Sequence, residues 1–183
     1  TLSSHKCGGP VGVGALILKE EIHLQPLIRG GGQEFGMRSG TLSAPLILSF
    51  TAALKAALKD QAASSQRLRG FQEMIENALP EAIIYGKDSP RVAHVVYLSM
   101  PYVPAPLQLM AFDLKGIAVG VGAACSSGAM KDSHVLSAMG IAPLDAQCAI
   151  RVSMGWQTQE QDLHRFIDEW RTIYAKQLTK EAM

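Results

Sequence analysis

Two reactive side chains stand far apart in this chain, each inside a run of small residues. Lys6 closes the run Ser3-Ser-His-Lys6, and Cys125 sits within Gly120-Val-Gly-Ala-Ala-Cys-Ser-Ser-Gly-Ala129. A lysine amine forms a Schiff base with an aldehyde such as that of pyridoxal phosphate. A mobile cysteine thiolate then takes sulfur from a substrate bound to that cofactor. A lone lysine near a chain end is ordinarily a surface residue, and a lone cysteine is ordinarily buried packing. The neighbourhood of Cys125 is too polar and glycine-rich for a buried thiol. Gly120, Gly122, Ala123, Ala124, Ser126, Ser127 and Gly128 offer little to pack, so the segment reads as a mobile loop.

Elements must bring these groups to a site. Val11 to Leu18 is apolar and β-rich, Glu21 to Ile28 alternates, and the charged turn Lys19-Glu20-Glu21 between them predicts a hairpin. Gly30-Gly-Gly is a flexible connector whose backbone can approach a ligand closely. From Thr41 to about Leu79 the pattern is helical: Leu46, Phe50, Leu54 and Leu58 recur every four residues, then Leu68, Phe71, Ile75 and Leu79 at three to four. Ala62-Ala-Ser-Ser65 and Gly70 leave open whether this is one bent helix or two. Beyond Pro80, Ala82–Tyr85, Val92–Ser99, Ile117–Val119 and Ala149–Ser153 read as strands. Ala105–Lys115 reads as a helix stopped by Gly116. Ser133 caps a short helix through Met139 with Gly140 as its stop, and Thr158 opens a terminal amphipathic helix with a capping-box spacing to Gln161.

Composition narrows the class. The chain has 17 basic and 16 acidic residues, a net charge of +1 and 48% hydrophobic residues, as an ordinary soluble protein does. No basic patch points to nucleic acid, no acidic tail is visible, and every apolar run is broken by Pro, Gly or charge, so no segment reads as membrane-spanning. Three cysteines, Cys7, Cys125 and Cys148, form no C-x-x-C pair. That argues against a disulfide framework or a metal site and for a reduced thiol in the cytoplasm.

Four motifs now stand in order: Ser3-Ser-His-Lys6 with Gly9-Pro-Val-Gly-Val-Gly-Ala15, and Gly30-Gly-Gly-Gln-Glu-Phe-Gly-Met-Arg-Ser-Gly-Thr41. Then come Ala123-Ala-Cys-Ser-Ser-Gly128 with Ser133-His-Val-Leu136, and Ile150-Arg-Val-Ser-Met-Gly155. In this the chain resembles the cysteine desulfurases of the NifS/IscS type, within the class V aminotransferase group of pyridoxal phosphate enzymes. The resemblance implies an α/β fold of the PLP-dependent transferase type. Residues 1–42 would be a C-terminal remnant of the large, cofactor-binding domain and 43–79 a long helical connection. Residues 80–183 would be a small α+β domain carrying the cysteine loop. In that family the lysine stands near mid-chain. The chain is therefore expected to hold the C-terminal half of an enzyme, without the ring that stacks on the cofactor or the carboxylate that pairs with its pyridine nitrogen, and to be inactive alone.

The resemblance also implies roles, residue by residue. Lys6 would anchor pyridoxal phosphate and, once freed, move the substrate Cα proton. Ser3 and His5 would contact the cofactor phosphate as hydrogen-bond donors. Thr41 would reach the phosphate held by a partner subunit, making a homodimer with a shared active site, although a helix N-cap is its other reading. Cys125 would accept sulfur from L-cysteine as a persulfide, leaving L-alanine, and pass it to an acceptor or scaffold protein, for example in iron–sulfur cluster assembly. Arg151 would clamp the substrate carboxylate with a two-pronged hydrogen bond, the alternative being a structural carboxylate partner. Cys7 and Cys148 read as packing residues and His134 as structural, with proton handling as its alternative. Met130-Lys-Asp-Ser133 departs from the commoner Leu-Glu-Pro-Ser, which points to a different sulfur acceptor. Two rival readings remain: a selenocysteine lyase or other class V aminotransferase on the same scaffold, and a non-catalytic fragment acting only as a dimerisation module.

Overall fold

The computed structural model describes residues 1–122 and 133–181; Cys125, with the rest of 123–132, lies outside the described residues. The chain divides into two compact units, Thr1–Ala62 and Ala63–Met183, and the boundary falls inside helix α1, Ala44–Ala78. That helix is continuous, so the stretch the spacing left open is one element. Gly70 within it costs about 1 kcal/mol relative to alanine. Burial of Leu68, Ile75 and Leu79, with Phe71 packed beside them, outweighs that cost.

In the first unit, strand β1 (Leu2–Ser3) pairs antiparallel with β2 (Gly14–Ala15), Leu2 opposite Ala15 and Ser3 opposite Gly14. The expected hairpin of 11–18 with 21–28 does not form. Only Gly14 and Ala15 are strand, and their partner is β1. Leu16, Ile17, Ile22, Leu24, Leu27 and Ile28 are exposed, Leu27 to 95%. The alternating pattern is real, but a two-stranded ribbon stands only when another layer covers its apolar face. The described residues of this unit supply Phe50 as their one buried large apolar side chain.

The second unit has its core between a sheet and three helices. β3 (Ile83–Ile84), β4 (Val95–Ser99), β5 (Gly120–Val121) and β6 (Ala149–Ser153) form an antiparallel sheet in the order β3-β4-β6-β5. Side chains alternate across a strand. Val96, Leu98, Ile150 and Val152 therefore meet Leu68 and Ile75 of α1, Leu79 just beyond its end, Phe112 of α2 (Ala105–Asp113) and Leu163, Phe166, Ile167 and Trp170 of α5 (Glu160–Glu181). Phe112 stacks on Phe166 at 5.1 Å. Fully buried side chains of this size each contribute roughly 1.5–3 kcal/mol. A smaller cluster of Tyr85, Leu136 and Ala149, with Tyr97, Ile141 and Ala146, joins α3 (His134–Ala138) and α4 (Pro143–Gln147) to the rest.

Some local expectations shift. The strand expected at 117–119 falls at Gly120–Val121, because that is where backbone pairing with β6 is available. Helix α4 has no counterpart in the sequence reading; its five residues are too few to show a period. The terminal helix starts at Glu160, where Asp162 Oδ2 accepts from Gln159 N–H at 2.9 Å, the reach-back half of a capping box. Thr158 instead accepts from Gly155 N–H at 2.8 Å, closing the turn before the helix.

Candidate active site

The lysine motif is built from the backbone of Ser4. β1 delivers the chain into one 3-10 turn, Ser4–Lys6, and Ser4 N–H donates to Val13 O at 3.1 Å, tying the turn to the returning strand. Ser4 O accepts three bonds: from Cys7 N–H and Gly9 N–H, both at 3.0 Å, and from Cys7 Sγ at 3.2 Å. Ser4 Oγ is fully buried and has no hydrogen-bond partner among the described residues. It fills the space a side chain at position 9 would need: a Cβ on Gly9 would overlap Ser4 Oγ and lie 3.3 Å from Ala53 Cβ of α1. Glycine at 9 is thus a packing requirement, and the turn is fixed against α1 from below.

On this base Ser3, His5 and Lys6 are all exposed. Among the described residues no carboxylate lies within ion-pair distance of Lys6. Thr41 belongs to the same unit, also exposed, three residues before α1. It is not the helix cap, because Ile47 N–H bonds to Ser43 O and α1 starts at Ala44. The preceding loop is tied by Ser39 N–H to Ile28 O at 3.1 Å and by Gly40 N–H to Gln33 Oε1 at 3.3 Å.

Arg151 belongs to the second unit. It stands mid-strand in β6, directly opposite Tyr97 on β4 and Gly120 on β5. Its side chain is half-buried, and no carboxylate among the described residues pairs with it, which removes the structural-partner alternative within that set. His5 and Lys6 therefore share one turn, Ser3 directly precedes it in β1 and Thr41 lies in the same unit, while Arg151 stands in the other unit and Cys125 lies outside the described residues.

The other two cysteines sit in packed positions. Cys7 is half-buried against Ser4 O. Cys148 is buried, and burial first, then the Asp145 carboxylate, push its thiol above the ordinary 9.0. A thiol so placed is a poor nucleophile. His134 opens α3 and is exposed; the cap of that helix is Ser133, whose Oγ accepts from Leu136 N–H at 3.4 Å. Among the described residues no group of three or more His, Cys, Asp or Glu is placed to hold a metal ion, and no helix is long and apolar enough to cross a membrane. The sequence reading missed Ser4 and Gly9. Their only signal was the clustering of small residues around the lysine.

Comparison with known proteins bears on the same residues. The family described as aminotransferase class-V matches residues 1–166. Cysteine desulfurase IscS 1 of Archaeoglobus fulgidus is 33% identical over 171 residues, which is 92% of this chain and 45% of that protein. The structure of a NifS-like protein from Rickettsia africae superposes with a TM-score of 0.79 at 31% identity, covering 94% of this chain and 46% of that one. A structure described as SspA in complex with cysteine gives a TM-score of 0.62 at 28% identity, covering 84% and 42%. The chain thus spans about half the length of the relatives it matches. Ordered motifs, backbone likeness and a match over residues 1–166 agree: this chain belongs to the aminotransferase class-V family.

Proposed function

We infer that this chain carries part of the active site of a pyridoxal phosphate-dependent cysteine desulfurase. The observation that carries the reading is the Lys6 turn: a bare, exposed amine on a backbone tied down at Ser4. One amine, the Ser3 hydroxyl, the His5 imidazole and the Thr41 hydroxyl, all exposed, suit an aldehyde that bears a phosphate, so the residues fit the cofactor. When bound, pyridoxal phosphate supplies an electron sink for bonds breaking at the substrate. Lys6 Nζ holds it and then moves the proton at substrate Cα. Arg151 grips the carboxylate of L-cysteine, and its lack of an ion-pair partner among the described residues supports that role.

Cys125 then attacks the substrate sulfur. The new bond is S–S and the bond broken is Cβ–S, whose electron pair stays with carbon and is protonated. Enzyme thiol plus cysteine gives enzyme persulfide plus alanine, with the carbon reduced, the sulfur oxidised and no outside oxidant. The names of the relatives support this over transamination, which needs no thiol. We extend the reading to a homodimer that shares its site through Thr41 and delivers sulfur to an acceptor protein, as in iron–sulfur cluster assembly. We place this chemistry in a reducing, cytoplasmic setting, as a sulfur-accepting thiol requires.

The test is product and adduct analysis of a longer form of the protein, spanning the full length of its relatives, incubated with pyridoxal phosphate and L-cysteine. Borohydride is expected to bleach a yellow band and leave the cofactor mass on Lys6, and alanine is expected to appear with a persulfide on Cys125. Alanine production that survives Cys125→Ser would sink the desulfurase reading; a preference for selenocysteine over cysteine would replace it with a lyase. The exposed apolar residues between Leu16 and Ile28 favour a second reading, in which this chain is a module completed by further polypeptide. Absence of the yellow band from this chain alone, with its presence in a longer form, would establish that.

A further inference from the structure

We propose that Gly120 is a positioning residue for Arg151: its missing side chain makes the bed in which the guanidinium lies. This rests on the reading of Arg151 as the carboxylate-binding residue. In antiparallel pairs, residues directly opposite one another point to the same face with Cβ atoms about 4.5–5.5 Å apart. Arg151 has one such neighbour on each side, Tyr97 on β4 and Gly120 on β5. The Tyr97 ring is held half-buried, edge-on to Tyr85 at 5.5 Å, so that side is occupied by a fixed group. The other side is bare backbone. The Arg151 side chain turns that way: a Cβ placed on Gly120 would meet Nη2 at 3.2 Å, Nε at 3.5 Å and Cζ at 3.6 Å. The guanidinium is thereby laid along β5 rather than left to wave from the sheet, and fewer rotamers remain to be frozen when an anion binds.

Gly120 also belongs to strand pairing, opposite Arg151, rather than to the loop in which the sequence reading placed it. Flexibility is not its use here. An alanine at 120 would press the guanidinium aside by a few tenths of an ångström, because its contact with Nη2 would be 3.2 Å. A valine adds two further carbons on the same side and would evict it.

The measurement is labelling of the purified chain with phenylglyoxal, read at each arginine by peptide mass spectrometry, with and without propionate as a carboxylate probe. In the parent protein Arg151 is expected to label readily and propionate to slow it several-fold. Gly120→Val should abolish that protection and Gly120→Ala should weaken it. Gly155→Ala should change nothing, since nothing lies within 4 Å of a Cβ at that position. Near-ultraviolet circular dichroism checks that each variant is folded. Undiminished protection in folded Gly120→Val would overturn the role of Gly120 and leave Arg151 as the clamp. If the valine variant does not fold, undiminished protection in Gly120→Ala decides the same way. Lack of protection in the parent chain would overturn the clamp itself, and this proposal with it.

Discussion

Adding a single methyl group at position 9 tests how the lysine turn is built. In Gly9→Ala the new Cβ would overlap Ser4 Oγ, and it would stand 3.3 Å from both Ala53 Cβ and Ser4 O. Inserting a carbon into a space already filled costs about 1–3 kcal/mol. The overlap is with one atom, however, and Ser4 Oγ is a buried hydroxyl without a partner among the described residues. Such a group is itself unfavourable by roughly 1–3 kcal/mol, so Ser4→Ala should be neutral or stabilising. With the hydroxyl gone the nearest atoms to the new methyl lie at 3.3 Å, tight but tolerable, and Gly9→Ala in that background should cost under about 1 kcal/mol. The reporters are the amides of Cys7 and Gly9, both bonded to Ser4 O. Hydrogen exchange by NMR should quicken at these two by about 30-fold for a 2 kcal/mol loss in Gly9→Ala, and return most of the way in the double variant. Equal acceleration by Gly9→Ala in both backgrounds would show that the clash with Ser4 Oγ is not what makes glycine necessary.

Three further outcomes are expected. Arg91 Nη1 stands 2.8 Å from Glu76 Oε1 with side chains 20% and 7% exposed, an ion pair with no other hydrogen-bond partner for either atom among the described residues. Glu76→Ala should therefore cost about 3 kcal/mol in urea unfolding, at the low end for a buried pair because Arg91 keeps part of its side chain in water; Glu76→Leu with Arg91→Met should recover most of it. Burial raises Tyr85 above its ordinary 10.0 and Cys148 above 9.0, so both bind protons more tightly folded than unfolded. Their contribution is complete below pH about 9 and is lost as pH rises through the raised values, so the melting temperature should fall above that pH, and a flat profile to pH 11 would contradict it. Arg67 donates to Thr158 O at 2.7 Å and to Gly155 O and Trp156 O at 3.2 Å; Arg67→Ala should free that turn at a cost of roughly 1–2 kcal/mol and change the emission of the exposed Trp156, whereas unchanged emission would mean the turn holds itself.

Helical period and β-branched runs made much of the second unit legible. β4, β6, α2 and α5 fall close to where the sequence places them: β4, β6 and α5 each turn an apolar side to one core, and α2 adds Ala105 and Phe112 to it. The first unit was less legible for a physical reason. Residues 16–28 carry a strand pattern whose covering layer is not supplied by the described residues, so propensity had nothing to work against. Lys6, His5 and Arg151 were singled out as candidates by residue type and motif, while the packing at Ser4, Gly9 and Gly120 could not be read that way, since what matters at each is a distance to an atom elsewhere along the chain or across a strand. The cap of α5 moved for a similar reason: Thr158 and Asp162 both have suitable oxygens, and only the backbone path shows which one reaches back.

The exposed stretch that begins at Leu16 has a consequence for how this polypeptide behaves in bulk. Leu16-Ile17-Leu18 is an exposed apolar run of strand-forming residues directly after β2, the kind of segment that associates with copies of itself, and Lys19, Glu20 and Glu21 stand immediately after it as charged gatekeepers. Neutralising those three charges would turn a soluble preparation into a turbid one long before it altered any residue of the lysine turn. These three charges thus bear on how concentrated the protein can be kept, through their place in the sequence and not through the lysine turn.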